Sequence, residues 1–125
     1  MKENLIWVRQ AEADLGTAKY NLDGKIFYAS AFFSQQAIEK ILKAYIIYKK
    51  LEFRKTHSIV VLAKKVGVSE EFLKKIIKLE EIERISRYPD VVGDAPCDEI
   101  KKEDAQDFYN IAEEVLVWVK NKMKS

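Results

Sequence analysis

The sequence predicts an all-α fold, an antiparallel up-and-down bundle of about five helices forming one domain over residues 1–125. Three observations predict it. Apolar residues recur at steps of three and four through most of the chain, the spacing that gives a helix one buried face. No segment alternates apolar and polar residues between turn signals, as a half-buried strand would. The four glycines and two prolines are few, and all but Gly16 fall at breaks between the periodic segments.

The first helix is expected from about Asn4 to Leu22. Val8, Leu15 and Leu22 recur every seven residues, with Leu5, Ala11 and Ala18 on the same face. Asp23–Gly24 supplies the stop. Gly16 lies inside this helix, where glycine costs about 1 kcal/mol relative to alanine, so close packing against a neighbour is the expected compensation. The second helix is expected from about Ile26 to Lys50 and is the most apolar. Phe27, Ala31, Ser34, Ile38, Ile41, Leu42, Tyr45 and Tyr48 fill one broad side, and Gln36, Glu39, Lys40, Lys43 and Lys50 form a narrow polar stripe. A helix this apolar needs cover on more than one side, as the centre of the bundle, as part of a dimer interface, or as both.

A short third helix is expected from about Ser58 to Val66, with Thr56 or Ser58 as cap and Gly67 as its end. The fourth opens at Ser69, a good N-cap, with Glu70 and Glu71 at the positive end of its dipole. Phe72, Ile76, Leu79 and Ile82 or Glu83 trace its packed face. It ends near Arg87, because Tyr88 precedes Pro89 and is disfavoured in the helical region. A polar connection containing Pro89, Gly93 and Pro96 follows, and connections of this length carry function disproportionately often. The closing helix is expected from about Lys101 to Met123, with Phe108, Ala112, Val115 and Val119 on one face and Ala105 and Leu116 beside them.

Composition narrows the function classes. A chain of 125 residues with 48% hydrophobic and 34% charged residues reads as a soluble globular domain. The N-terminal stretch lacks a signal-peptide core, and no run reaches the length of a membrane span, so a cytoplasmic protein with no membrane association is expected. One cysteine, Cys97, and one histidine, His57, leave no basis for a disulfide framework or a Cys- or His-rich metal site within one chain. No phosphate-binding glycine loop, dinucleotide fingerprint or zinc-protease motif occurs, so neither a metal nor a cofactor is expected. The net charge of +2 is uneven. Residues 40–78 hold eleven basic side chains against three acidic ones, whereas residues 79–125 hold seven against twelve. A basic middle of this kind can attract an anionic partner, or can simply be a solvated face.

Three places carry candidate chemistry. Arg84 and Arg87, three apart, share a helix face. They can pair with Glu80 and Glu83 four residues earlier, or form a two-pronged guanidinium site for phosphate. In the second case Tyr88 could stack on a base, and Asp90 could orient an arginine or bond a ribose hydroxyl. Gln36, Lys40 and Lys43 form a seam on the second helix that is either structural or lines a cleft, and Gln35 beside it is an amide in need of partners. His57 stands at a helix start, as a cap or packing residue, or as a general base if the fold supplies a partner. The tyrosines at 20, 28, 45, 48 and 109 read as packing residues at helical spacing.

Taken together, "AEADLGTAKYNLDGKIFYASAFFSQQAIEKILKAYI", then "THSIVVL", then "RYPD" and a long closing helix resemble the HEPN domain family over nearly the whole chain, from about Leu5 to about Lys122. The resemblance implies an all-α bundle that forms a homodimer, with a cleft at or near the dimer interface and association with nucleotide or RNA. It implies a possible partner as well, because stand-alone prokaryotic members often pair with a minimal nucleotidyltransferase in toxin–antitoxin-like modules. By resemblance Arg87, Tyr88, Pro89 and Asp90 become site residues; the residue pattern adds Arg84 as a second phosphate contact and Gln36, Lys40 and Lys43 as further nucleotide or anion contacts, the lysines supplying background positive charge. Several branches of the family are metal-independent ribonucleases that use an arginine followed four to six residues later by histidine. Here no histidine follows Arg84 or Arg87, and only two residues separate Arg54 from His57. The family's catalytic roles therefore do not carry over residue by residue. The alternative is a ribonuclease in which Arg87 and His57 are brought together by folding or dimerisation.

Overall fold

The computed structural model describes residues 3–52, 55–86, 95 and 100–124. Five helices occupy them, α1 (Glu3–Asp23), α2 (Phe27–Tyr48), α3 (Ile59–Val66), α4 (Glu70–Ser86) and α5 (Lys102–Lys124), with no strand among the described residues. Arg87, Tyr88, Pro89 and Asp90 lie outside the described residues, as does Arg54.

Helix α2 is the centre of the bundle and packs against all four of the others. Its Ala37, Ile38, Ile41, Leu42, Ala44 and Ile46 are fully buried, and burying an Ile or Leu side chain contributes about 1.5–3 kcal/mol. Helix α5 buries Ala105, Phe108, Ala112, Val115, Leu116 and Val119, the face its spacing predicts. Helix α4 buries Ile76 and Leu79, with Phe72 and Ile82 packed at the edge of the core. Tyr45, Trp118 and Phe72 meet edge-on where α2, α5 and α4 converge. Polar ties hold the helices in register. The Ser30 hydroxyl donates to the Ala18 carbonyl at 2.8 Å, and Lys120 on α5 reaches Glu12 on α1 at 2.7 Å.

The helix ends follow local chemistry. The Ser58 hydroxyl accepts from the Val61 N–H and caps α3, while Gly67, at φ 82°, closes it in the left-handed conformation that glycine tolerates best. The Ser69 hydroxyl accepts from the Phe72 N–H and caps α4.

Several expectations change. On α1 Ala11, Ala18 and Leu22 are buried and Val8 and Leu15 pack against the core as expected, but Asp14 is buried among them and Leu5 is exposed. The left-handed residue after α1 is Lys25 rather than Gly24. Gly16 meets no neighbour, since a Cβ there would find nothing within 4 Å. Of the five tyrosines expected to pack, Tyr45 is buried, Tyr48 stacks on it at the boundary and Tyr109 packs against the core, whereas Tyr20, at 80% exposure, and Tyr28 face solvent. Helix α2 ends at Tyr48, short of Lys50. Among the described residues no helix is long and apolar enough to cross a membrane.

Candidate functional site

The polar seam of α2 is largely withdrawn from solvent. Gln35, Glu39 and Lys43 on one row and Gln36, Lys40 and Lys43 on the next, each at steps of three or four, share one helix face, and that face forms the wall of an open cleft of about 830 Å³. Trp7 of α1 and Phe32 of α2 supply apolar lining, His57 and Ser58 enter just before α3, and Glu80, Glu83 and Arg84 come from α4. The fold thus brings Gln36, Lys40, Lys43, His57 and Arg84 to one place. Arg87, Tyr88 and Asp90 follow α4 in the chain, outside the described residues.

The cations of the α2 seam are committed within the chain. Lys40 Nζ lies 2.5 Å from Asp14 Oδ2 and 3.2 Å from Gln36 Oε1. Asp14 is buried at a core-facing position of α1 and is also held by Gln10 at 3.0 Å. Lys43 Nζ lies 2.9 Å from Glu39 Oε2 and 5.5 Å from the centre of the Trp7 ring, with both charged side chains almost fully buried. Charges this deep need such partners, because desolvation otherwise outweighs their presence. His57 Nδ1 lies 3.1 Å from the same Glu39 oxygen, although the His57 side chain is 83% exposed.

Arg84 differs from the lysines. It is exposed at the cleft, and among the described residues it makes no ion pair, so the expected Glu80–Arg84 helical pair is not formed. Its fork of donors is available to an external anion. Gln35 adds an unmet need. It is 4% exposed, and its Oε1 has no hydrogen-bond partner. Among the described residues no group of three or more His, Cys, Asp or Glu side chains could hold a metal ion.

The sequence placed Glu39 in the polar stripe of α2 but gave no sign of its partners, and reading by segment did not mark Asp14 or Trp7 at all. Asp14 had a signal, since a carboxylate between Ala11 and Ala18 on an apolar helix face requires a buried partner. Trp7 had none, because its place over Lys43 depends on how α1 crosses α2.

Comparison with known proteins adds kinship. The HEPN domain family model matches residues 5–122. A protein of Methanocaldococcus jannaschii named a "putative toxin" is 33% identical over 95% of this chain and 87% of its own length. The crystal structure of an archaeal HEPN homologue superimposes with a TM-score of 0.84 at 33% identity, covering 98% of this chain and 99% of that one. A Thermus thermophilus protein shares the fold at a TM-score of 0.86 and 24% identity, covering 98% and 99% of the two chains. A Thermotoga maritima HEPN domain protein does so at 0.73 and 18%, covering 94% and 97%.

Proposed function

The chain belongs to the HEPN domain family, and from that premise we propose that it is the HEPN component of a toxin–antitoxin-type module, a homodimer that accepts the phosphate of a nucleotide or RNA in the α2–α4 cleft. The observation that carries this reading is the gathering of Gln36, Lys40, Lys43 and Arg84 around one opening. Similarity to a protein named as a toxin supports the module. In this reading Arg84 and Arg87 grip the phosphate, Tyr88 stacks on the base, and Asp90 bonds the ribose or steadies an arginine. Lys40 and Lys43 shape the wall more than they attract the ligand, because Asp14 and Glu39 balance them. A minimal nucleotidyltransferase is the partner that fits a non-catalytic component.

Titration calorimetry with ATP and with a short RNA, beside the Arg84→Ala variant, tests the reading. Loss of one charge-assisted contact should weaken binding about 10- to 100-fold without a change in helicity. No heat with either ligand, together with no nucleotidyltransferase recovered on pull-down from the native host, would remove the proposal.

One observation favours a second reading, a metal-independent ribonuclease toxin using Arg87 and His57. The only histidine faces the cleft with its Nδ1 on a buried carboxylate. This reading predicts cleavage of labelled RNA in EDTA, abolished in both Arg87→Ala and His57→Ala. An unchanged rate in His57→Ala removes the assignment.

A further inference from the structure

Where α1 begins and where α2 and α5 end, the three helices form an open groove of about 650 Å³. Its lining shares no residue with the α2–α4 cleft. Leu5 and Val8 of α1, Ile47 and Tyr48 of α2 and Met123 of α5 make an apolar floor. Leu5 and Tyr48 are exposed, and so are Ile6 and Leu51, which adjoin lining residues in the chain. Single apolar residues on a surface need no explanation. A groove floored by several of them and rimmed by polar groups is the mark of a docking surface.

The rim selects the occupant. It carries Lys50, Lys120 and Lys124, and no carboxylate lines the groove among the described residues. Glu12 takes up Lys120 at 2.7 Å. Lys50 and Lys124 are exposed and make no ion pair among the described residues. A second copy docked here about a two-fold axis would set these lysines against their own counterparts, which like-charge repulsion opposes. An occupant with carboxylates beside its apolar side chains is complementary instead. Exposed Ile6 and Leu51 carry apolar surface past the lining, which suits a protein segment better than a small amphiphile.

We propose that this groove receives an acidic amphipathic helix of a protein partner. Apolar side chains one turn apart on that helix seat against Leu5, Val8, Ile47 and Met123, and its flanking carboxylates pair with Lys50 and Lys124. Because the groove and the cleft share no residue, this docking stands or falls independently of what the cleft binds.

The probe is a fluorescein-labelled helical peptide of leucine and glutamate, its leucines one turn apart on one face. Its binding is read by fluorescence anisotropy, beside the same peptide with lysine in place of glutamate. Leu5, Lys50 and Lys124 are exposed, so substituting them leaves the core intact. The wild type should bind the acidic peptide, and the basic one at least about 10-fold more weakly. Lys50→Glu with Lys124→Glu should reverse that preference, a result that a merely structural role for the lysines would not give. Leu5→Ser should weaken both complexes several-fold through lost apolar contact. Neither peptide bound, or both bound equally, overturns the proposal. So does a dimer in analytical ultracentrifugation that Leu5→Ser dissociates, because the groove then holds a second copy. Dodecanoate binding at the groove where the peptides do not assigns it to a small amphiphile and overturns the proposal as well.

Discussion

Asp14 and Glu39 set the character of the cleft as much as its cations do. Each buried carboxylate takes up one lysine of the α2 seam, at 2.5 Å for Lys40 and 2.9 Å for Lys43. Burial makes these pairs mandatory once the charges are present. The seam was legible in the sequence as Gln36, Lys40 and Lys43, and its burial was not, because the residues that cover it come from α1 and α4. Gly16 makes the complementary case. It sits within α1 with open space where a Cβ would go, so nothing in the described chain offsets its cost. Gly16→Ala should stabilise the fold by about 1 kcal/mol and raise the melting temperature by about 3–6 °C for a domain of this size. Thermal unfolding followed by circular dichroism checks this. A fall in melting temperature would mean that α1 packs against a second copy at Gly16.

Short helices depend on their ends. Helix α3 has eight residues, fewer than the length at which an isolated helix sustains itself. It persists through Ser58 at its start, Gly67 at its end, and the burial of Ile59, Leu62 and Ala63. Ser58→Ala should cost about 1 kcal/mol, and Ser58→Gly only a few tenths, as measured by urea denaturation. Equal losses would show that the cap hydroxyl matters less than the side-chain bulk. Helix α1 shows what periodicity leaves open. Asp14 is buried among Ala11, Ala18 and Leu22, while Leu5, on the predicted face, is exposed, because periodicity marks a face and not how far its neighbours cover it.

At the scale of the molecule the chain is wrapped around α2. Buried side chains run nearly without interruption from Ala37 to Ile46, so the amides there should exchange hydrogen only when the whole domain unfolds. Helix α3, short and at the edge, should open locally. Native-state hydrogen exchange should therefore find the α2 centre slowest and α3 faster by at least about 10-fold. Equal rates would mean that α3 is part of one cooperative unit with α2. The same arrangement places the cleft, since the wall is α2 and the facing groups, Glu80, Glu83 and Arg84, arrive from α4.

The sequence by itself determined the helical class, the number of helices, the cap at Ser69 and the buried faces of α4 and α5, and it narrowed the α3 cap to Thr56 or Ser58. It also carried the family, in the order and spacing of its motifs. These are properties of residues close in the chain, where propensity, capping and the 3.6-residue period act directly. Only the tertiary structure decided that Lys40 and Lys43 are neutralised, that Arg84 has no ion-pair partner in the described chain, and that His57 meets Glu39. Those outcomes depend on which distant side chains share a desolvated space. Separations of eighteen residues between His57 and Glu39, and twenty-six between Lys40 and Asp14, are bridged by packing that no local pattern encodes.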